Sequence, residues 1–110
     1  MTKIGTMKIA GKSGNEYEFQ LYPVGTSFKE LGGVYVVTKR EPKPGGGGAH
    51  TFLYVGETGD FSTRFDNHHK QECFDESGAN CIGVHLDGSE KSRKAKEADL
   101  LEGNAWPCND

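Results

Sequence analysis

The run Gly33-Val34-Tyr35-Val36-Val37-Thr38 and its downstream counterpart Thr51-Phe52-Leu53-Tyr54-Val55 decide the fold class of this chain. β-Branched and aromatic residues dominate both, so each predicts a strand, the first of them buried on both faces. Cys81-Ile82-Gly83-Val84-His85-Leu86 predicts a third, with Ile82, Val84 and Leu86 on its core side. Upstream, Tyr17, Phe19 and Leu21 alternate with Glu18 and Gln20. The turn cluster Gly11-Lys12-Ser13-Gly14-Asn15 separates them from Met7-Lys8-Ile9-Ala10, which predicts an N-terminal β-hairpin. Between the two core strands, Arg40-Glu41-Pro42-Lys43-Pro44 and the glycines Gly45 to Gly48 cannot sustain a helix or a sheet ladder and read as a mobile loop.

Two helices complete the pattern. Asp60 is an N-cap for a helix running from Phe61 to about Lys70, after the turn from Gly56 to Gly59. Asp87-Gly88-Ser89 opens another that runs to about Glu102, with Ala95, Ala98 and Leu101 along one side and Gly103 to terminate it. The order of hairpin, strand, strand, helix, strand and helix gives an α+β class: a short central antiparallel sheet flanked by helices, extended by the hairpin. Residues 1–31 form the hairpin extension and link, and residues 32–110 the main domain, within one compact unit.

Composition bounds the function. With 110 residues, 34% hydrophobic and 26% charged, the chain can build a single modest core and is not disordered by default. No stretch approaches the roughly 20 apolar residues of a membrane span, and Met1-Thr2-Lys3-Ile4-Gly5 lacks a secretory apolar run. Three cysteines, Cys73, Cys81 and Cys108, form an odd, sparse set that points to a reducing cytoplasm. A net charge of −3 speaks against indiscriminate nucleic-acid binding. Screening beyond about 8 Å nevertheless lets a local basic groove work on an acidic protein.

Several polar residues stand in a telling order: Gly33-Val34-Tyr35, Tyr54-Val55-Gly56, Arg64, His68, Glu97 and Asn109. Read together, they resemble the GIY-YIG nuclease superfamily over roughly residues 32 to 110. That resemblance implies a compact metal-dependent endonuclease that hydrolyses phosphodiester bonds in DNA with one divalent cation, Mg²⁺ or Mn²⁺. Tyr35 and Tyr54 would lie on adjacent strands with their hydroxyls in the site, one of them the general base. Arg64 would meet phosphate charge, Glu97 would hold the metal, and Asn109 would fix the C-terminal segment or the site's geometry.

The residue types suit this chemistry. Arg64 and His68, at i and i+4 of the expected helix, would share one face, and a guanidinium fork matches phosphate oxygens. A single carboxylate completed by water and phosphate oxygens suits octahedral Mg²⁺. A phenol of ordinary pKa near 10 would have to ionise near neutral pH, at roughly 4 kcal/mol, with Arg64 and a cation as the sources of stabilisation. His68 could instead bond a tyrosine hydroxyl or a phosphate, and its tautomer is not written in the sequence.

Plainer readings stand beside each. Arg64 could pair with Asp60 or Asp66, the tyrosines could be buried strand aromatics, and Glu97 could sit on a solvated face with Arg93, Lys94 and Lys96 as neighbours. Glu102 rivals Glu97, though the spacing to Asn109 and the leucines Leu100 and Leu101 fit the family pattern only with Glu97. Glu57, where some members of the family carry lysine, would oppose ionisation of a tyrosine, and the linker from Tyr35 to Tyr54 is long, a loop insertion that could close over substrate.

Lys91, Arg93, Lys94 and Lys96, with Lys70, form a candidate phosphate-contacting rim. No sequence-reading module is present, which leaves substrate choice to nucleic-acid shape, a protein partner or a homo-oligomer. A structural zinc site from His69, Cys73, Cys81 and His85 is a separate alternative, with unfamiliar spacing. A non-catalytic nucleic-acid or protein interaction module that keeps the nuclease fold is the other.

Overall fold

The computed structural model describes residues 3–65 and 68–109. Five strands, β1 (Gly5–Ala10), β2 (Glu16–Pro23), β3 (Gly33–Pro42), β4 (Gly48–Thr58) and β5 (Cys81–Leu86), form one sheet. Its order is β1-β2-β5-β3-β4, and every neighbouring pair is antiparallel. The N-terminal hairpin is thus part of the sheet, joined where Gln20 to Pro23 pair with Val84 to Cys81.

Helices α1 (Phe61–Arg64), α2 (Gln71–Ser77) and α3 (Glu90–Gly103) follow their strands, and a 3-10 turn, Pro107–Asn109, closes the described chain. The alternation of β3 sends its side chains to two cores. Val34, Val36, Val55, Phe19 and Leu21 pack with Leu100 of α3 and Trp106 on one side. Tyr35, Val37, Tyr54, Ile82 and Val84 pack with Phe61 and Phe74 of α1 and α2 on the other. This is why the run from Val34 to Thr38 is buried without interruption.

A bulge refines the second core. Val37 pairs with Tyr54 but Thr38 pairs with Phe52, which leaves Leu53 as the extra residue. Leu53 and Tyr54 consequently both pack into the core beneath α1 and α2, while Phe52 turns away to stack on Trp106 at 5.0 Å.

Four expectations are corrected. The segment from Arg40 to Gly48 carries a sheet ladder as far as Pro42 opposite Gly48, with the turn confined to the residues between. β5 ends at Thr38 on the other side of β3, so Pro42 interrupts no second ladder there. In its place, the carboxamide of Asn80 accepts from the Arg40 N–H at 2.7 Å and donates to the Arg40 carbonyl at 3.0 Å.

The helix expected from Phe61 to about Lys70 is a single turn. Asp60 does cap it, accepting from Ser62 N at 2.8 Å, but it ends at Arg64. A separate helix, α2, then starts at Gln71, with Gly78 in the left-handed conformation at its end. The side of α3 bearing Ala95, Ala98 and Leu101 faces outward, and Arg93 and Leu100 are its buried residues. Alanines bury little area, whereas Leu100 and the aliphatic stem of Arg93 bury much more. Leu86 is 60% exposed instead of in the core: the pairing of β5 with β2 ends at Val84, and its partner on β3 is Gly33, which offers no side chain to pack against.

The cysteines also depart from expectation. Cys73 of α2 and Cys108 of the closing turn form a disulfide, and Cys81 is the free cysteine, buried in the core that includes Leu100 and Trp106. No helix of the described residues is long and apolar enough to cross a membrane.

Candidate active site

Tyr35 is the centre of the site. It projects from β3, which lies between β5 and the edge strand β4, and is fully buried. Across the ladder stands Gly56, and a Cβ placed there would come within 2.7 Å of the Tyr35 hydroxyl, so the glycine provides the seat for the phenol. Tyr54, two residues before Gly56 on β4, lies beside it with ring centroids 5.9 Å apart.

The phenol oxygen of Tyr35 collects two partners from the connection after β4. Arg64 donates through Nε at 3.0 Å, and its guanidinium carbon lies 5.7 Å from the Tyr35 ring centre. His68 Nε2 lies 2.7 Å away. Arg64 and His68 therefore converge, though not as neighbours on one helix: His68 lies beyond α1, in a turn closed by the Gln71 N–H on its carbonyl.

That turn assigns the tautomer. The Lys70 N–H donates to His68 Nδ1 at 3.0 Å, so Nδ1 carries a lone pair and the ring proton sits on Nε2. His68 thus donates to Tyr35, whose oxygen accepts from both His68 and Arg64. Burial first, then the charges of His69, Arg64 and Lys70, lower the His68 pKa to about 4, so the ring is neutral at pH 7. Burial pushes the Tyr35 phenol up from its ordinary value and outweighs the opposing hydrogen bond from Arg64. This is the reverse of the shift a tyrosine base needs.

Aromatic residues that the sequence reading did not single out build the walls. Phe65 meets the Tyr35 ring edge-on at 5.1 Å, and Phe74 meets Tyr54 at 5.7 Å. His69, exposed, stacks on His68 at 4.5 Å and faces the edge of Tyr54 at 6.0 Å. The Phe61 and Phe65 pair, spaced at i and i+4, was the available signal for this wall.

Glu97 approaches from the other face of the sheet, because α3 packs opposite α1 and α2. It meets the site around the outer edge of β4. Burial raises the Glu97 carboxyl, as does the charge of Glu57, while the Glu57 N–H, Arg64 and Lys94 pull it down. Asn109 occupies the same edge: its Oδ1 accepts from Val55 N at 3.0 Å and its Nδ2 donates to Val55 O at 2.9 Å. Val55 and Glu57, two apart on the strand, turn their N–H groups outward in the same sense. Glu97 and Asn109 thus stand at successive positions along one strand edge.

Glu57 does not stand uncompensated. Arg93, 7% exposed, donates from Nε to Glu57 Oε1 at 3.0 Å. Arg93 is accordingly not on a solvent-facing rim, contrary to the sequence expectation. Lys94 pairs with Glu90 at 2.8 Å, Lys96 pairs with Asp87 at 2.9 Å and donates to His85, and Lys91 is exposed. Lys70 stands at the start of α2, where its backbone holds His68. Asp60, the alternative partner for Arg64, is committed to capping α1, and Asp66 lies outside the described residues.

The zinc alternative is not assembled. Cys73 is bonded to Cys108, Cys81 is buried in the core that includes Trp106 and Leu100, and His85 donates from Nδ1 to the Glu18 carbonyl. No cluster of three or more metal-ligating side chains occurs among the described residues. One carboxylate, half-buried and repelled by Glu57, does fit a hydrated divalent cation that needs few protein ligands.

No protein-family model matches the chain, and neither a curated protein nor a solved structure matches it.

Proposed function

We propose that the chain is a metal-dependent endonuclease that hydrolyses phosphodiester bonds in DNA, built on a GIY-YIG-like arrangement. The observation that carries this reading is the convergence on the Tyr35 hydroxyl of Arg64 and His68, with Tyr54 alongside and Glu97 within the field of Arg64.

In this reading Tyr35 orients Arg64. Holding Nε leaves the terminal nitrogens of the guanidinium to face a phosphate and the charge that builds on it during transfer. His68, neutral and donating, fixes the phenol's position. Glu97, with water and phosphate oxygens, would hold one Mg²⁺ or Mn²⁺, which supplies Lewis-acid stabilisation and a more acidic bound water. A Tyr35 buried and held protonated leaves Tyr54 as the better candidate for accepting a proton from the attacking water. Lys70 would contact the backbone of the DNA beside the site, with Lys91 and the ion-paired Lys94 reaching it from α3, whereas Lys96 is turned toward Asp87 and His85.

The second reading, a non-catalytic interaction module with the same fold, draws on the upward shift of the Tyr35 phenol. The two separate in an assay of Mg²⁺- or Mn²⁺-dependent cleavage of duplex, single-stranded and branched DNA. Glu97→Ala and Arg64→Ala should each abolish cleavage with the fold intact. Undiminished cleavage by Glu97→Ala removes Glu97 from the reaction, and binding without cleavage by the wild-type chain favours the module.

A further inference from the structure

We infer that the Cys73–Cys108 bridge is a reducible latch on the outer edge of β4: opening it with a dithiol reductant releases the closing turn and frees that edge.

The bridge joins two pieces of chain that otherwise meet through Ser77 Oγ on Cys108 Sγ at 4.0 Å and the packing of Phe74 in the core that holds Cys108. Cys73 lies in α2 and Cys108 in the 3-10 turn, with a sequence separation of 35. Asn109 follows Cys108 directly, and its carboxamide satisfies both outward polar groups of Val55. A strand edge left open exposes unpaired N–H and C=O groups, and Asn109 is what closes β4 at that point. The bridge therefore adds a covalent tie one residue before the closing one, beside that residue's own hydrogen bonds to Val55 and Trp106.

What precedes the turn is held independently. Trp106 donates from Nε1 to the Leu100 carbonyl at 2.8 Å and stacks on Phe52 at 5.0 Å. These contacts do not involve the sulfur atoms, so the chain stays anchored as far as Trp106 when the bridge opens. Beyond Trp106, the anchors are the disulfide, the burial of Cys108, the contact of Ser77 Oγ with Cys108 Sγ at 4.0 Å, the Asn109 N–H on the Trp106 carbonyl at 3.0 Å and the carboxamide of Asn109. Opening should thus be local.

The bridge has one accessible end. Cys73 is half-buried, whereas Cys108 is 1% exposed. A thiolate of the reductant attacks Cys73 Sγ, the sulfur–sulfur bond breaks, and Cys108 leaves as a thiolate that takes up a proton. The second thiol of the reductant then attacks the mixed disulfide, releases Cys73 as a thiol and leaves the reductant oxidised to its own disulfide. Phe74, next to Cys73, touches Tyr54 and His68, so the latch adjoins the candidate site. The inference stands on the fold and not on the nuclease reading.

Hydrogen exchange on the full chain tests it, with the oxidised protein compared before and after dithiothreitol and with Cys73→Ser. Reduction and Cys73→Ser should each raise exchange at the Val55 amide by on the order of 100-fold and leave the Val36 and Leu100 amides protected. Asn109→Ala in the oxidised protein should raise Val55 exchange with the bridge still closed. Unchanged Val55 exchange on reduction overturns the latch. So does loss of protection throughout both cores, which would make the bridge a global staple. Three titratable thiols that glutathione disulfide fails to convert to one would also overturn it.

Discussion

The Tyr35 hydroxyl accepts the ring proton of His68 across 2.7 Å, and the direction of that bond is dictated two residues away, where the Lys70 N–H takes the opposite ring nitrogen. The imidazole is thereby fixed as a donor. The phenol it serves sits over Gly56 between Arg64 and Tyr54.

Stability should fall on the acid side because of this histidine. Folded His68 takes up a proton only near pH 4, whereas its ordinary value is 6.5. Between these values the unfolded chain holds more protons, so stability rises with pH across the window and is lost as pH falls through it. The slope from this one group approaches about 1.4 kcal/mol per pH unit. Urea denaturation from pH 7 down to pH 4 reads it, and His68→Gln should show a flatter dependence than the wild type.

Gly56→Ala should destabilise the fold by about 1–3 kcal/mol, because the added methyl meets a phenol that has no room to retreat. Equilibrium unfolding measures the loss, and the near-ultraviolet circular dichroism of the tyrosines should change with it. A variant as stable as the wild type, with an unchanged spectrum, would show that Tyr35 can shift.

The Arg93 and Glu57 pair is expected to behave as a unit. With side chains 9% and 20% exposed, removing the cation alone by Arg93→Met strands a carboxylate, at roughly 3 kcal/mol or more. Adding Glu57→Gln should recover part of that loss. Strict additivity in the double-mutant cycle would mean that the two do not interact.

If the nuclease reading holds, Arg64→Lys should lower the cleavage rate by about 100-fold or more while Tyr35 stays buried. A single ammonium cannot hold the phenol and present a fork to phosphate together. Steady-state kinetics on the preferred DNA substrate measure it, and a rate near that of the wild type would reduce Arg64 to a point charge.

The strands were legible because their signal is local. The runs at Val34 and Phe52, the hairpin about Tyr17 and the β-branched residues near Val84 all state a strand through their own side chains. The cap at Asp60 was equally readable. What stayed hidden depends on distant partners. His68 leaves the helix to bond a phenol on β3, and the buried face of α3 is set by a salt bridge to β4 instead of by its alanines. The ladder through Pro42 is tolerated only because β5 stops short, and the pairing of Cys73 with Cys108 needs the return of the chain terminus to α2. At the candidate site, the ordered polar residues named Tyr35, Tyr54, Arg64 and His68. The aromatic wall was signalled only by the spacing of Phe61 and Phe65, and the compensation of Glu57 by Arg93 was not visible.

Among the described residues, Asn80 supplies the side-chain hydrogen bonds that support the arm formed by β3 and β4 past Thr38 from the side, and the tip of the arm carries glycines with positive φ at Gly45, Gly46 and Gly47. Neither core reaches that far. The reach of the arm is therefore uncoupled from the packing that positions Tyr35, and residues spliced in at the tip would lengthen it like an extended finger while the palm keeps its grip.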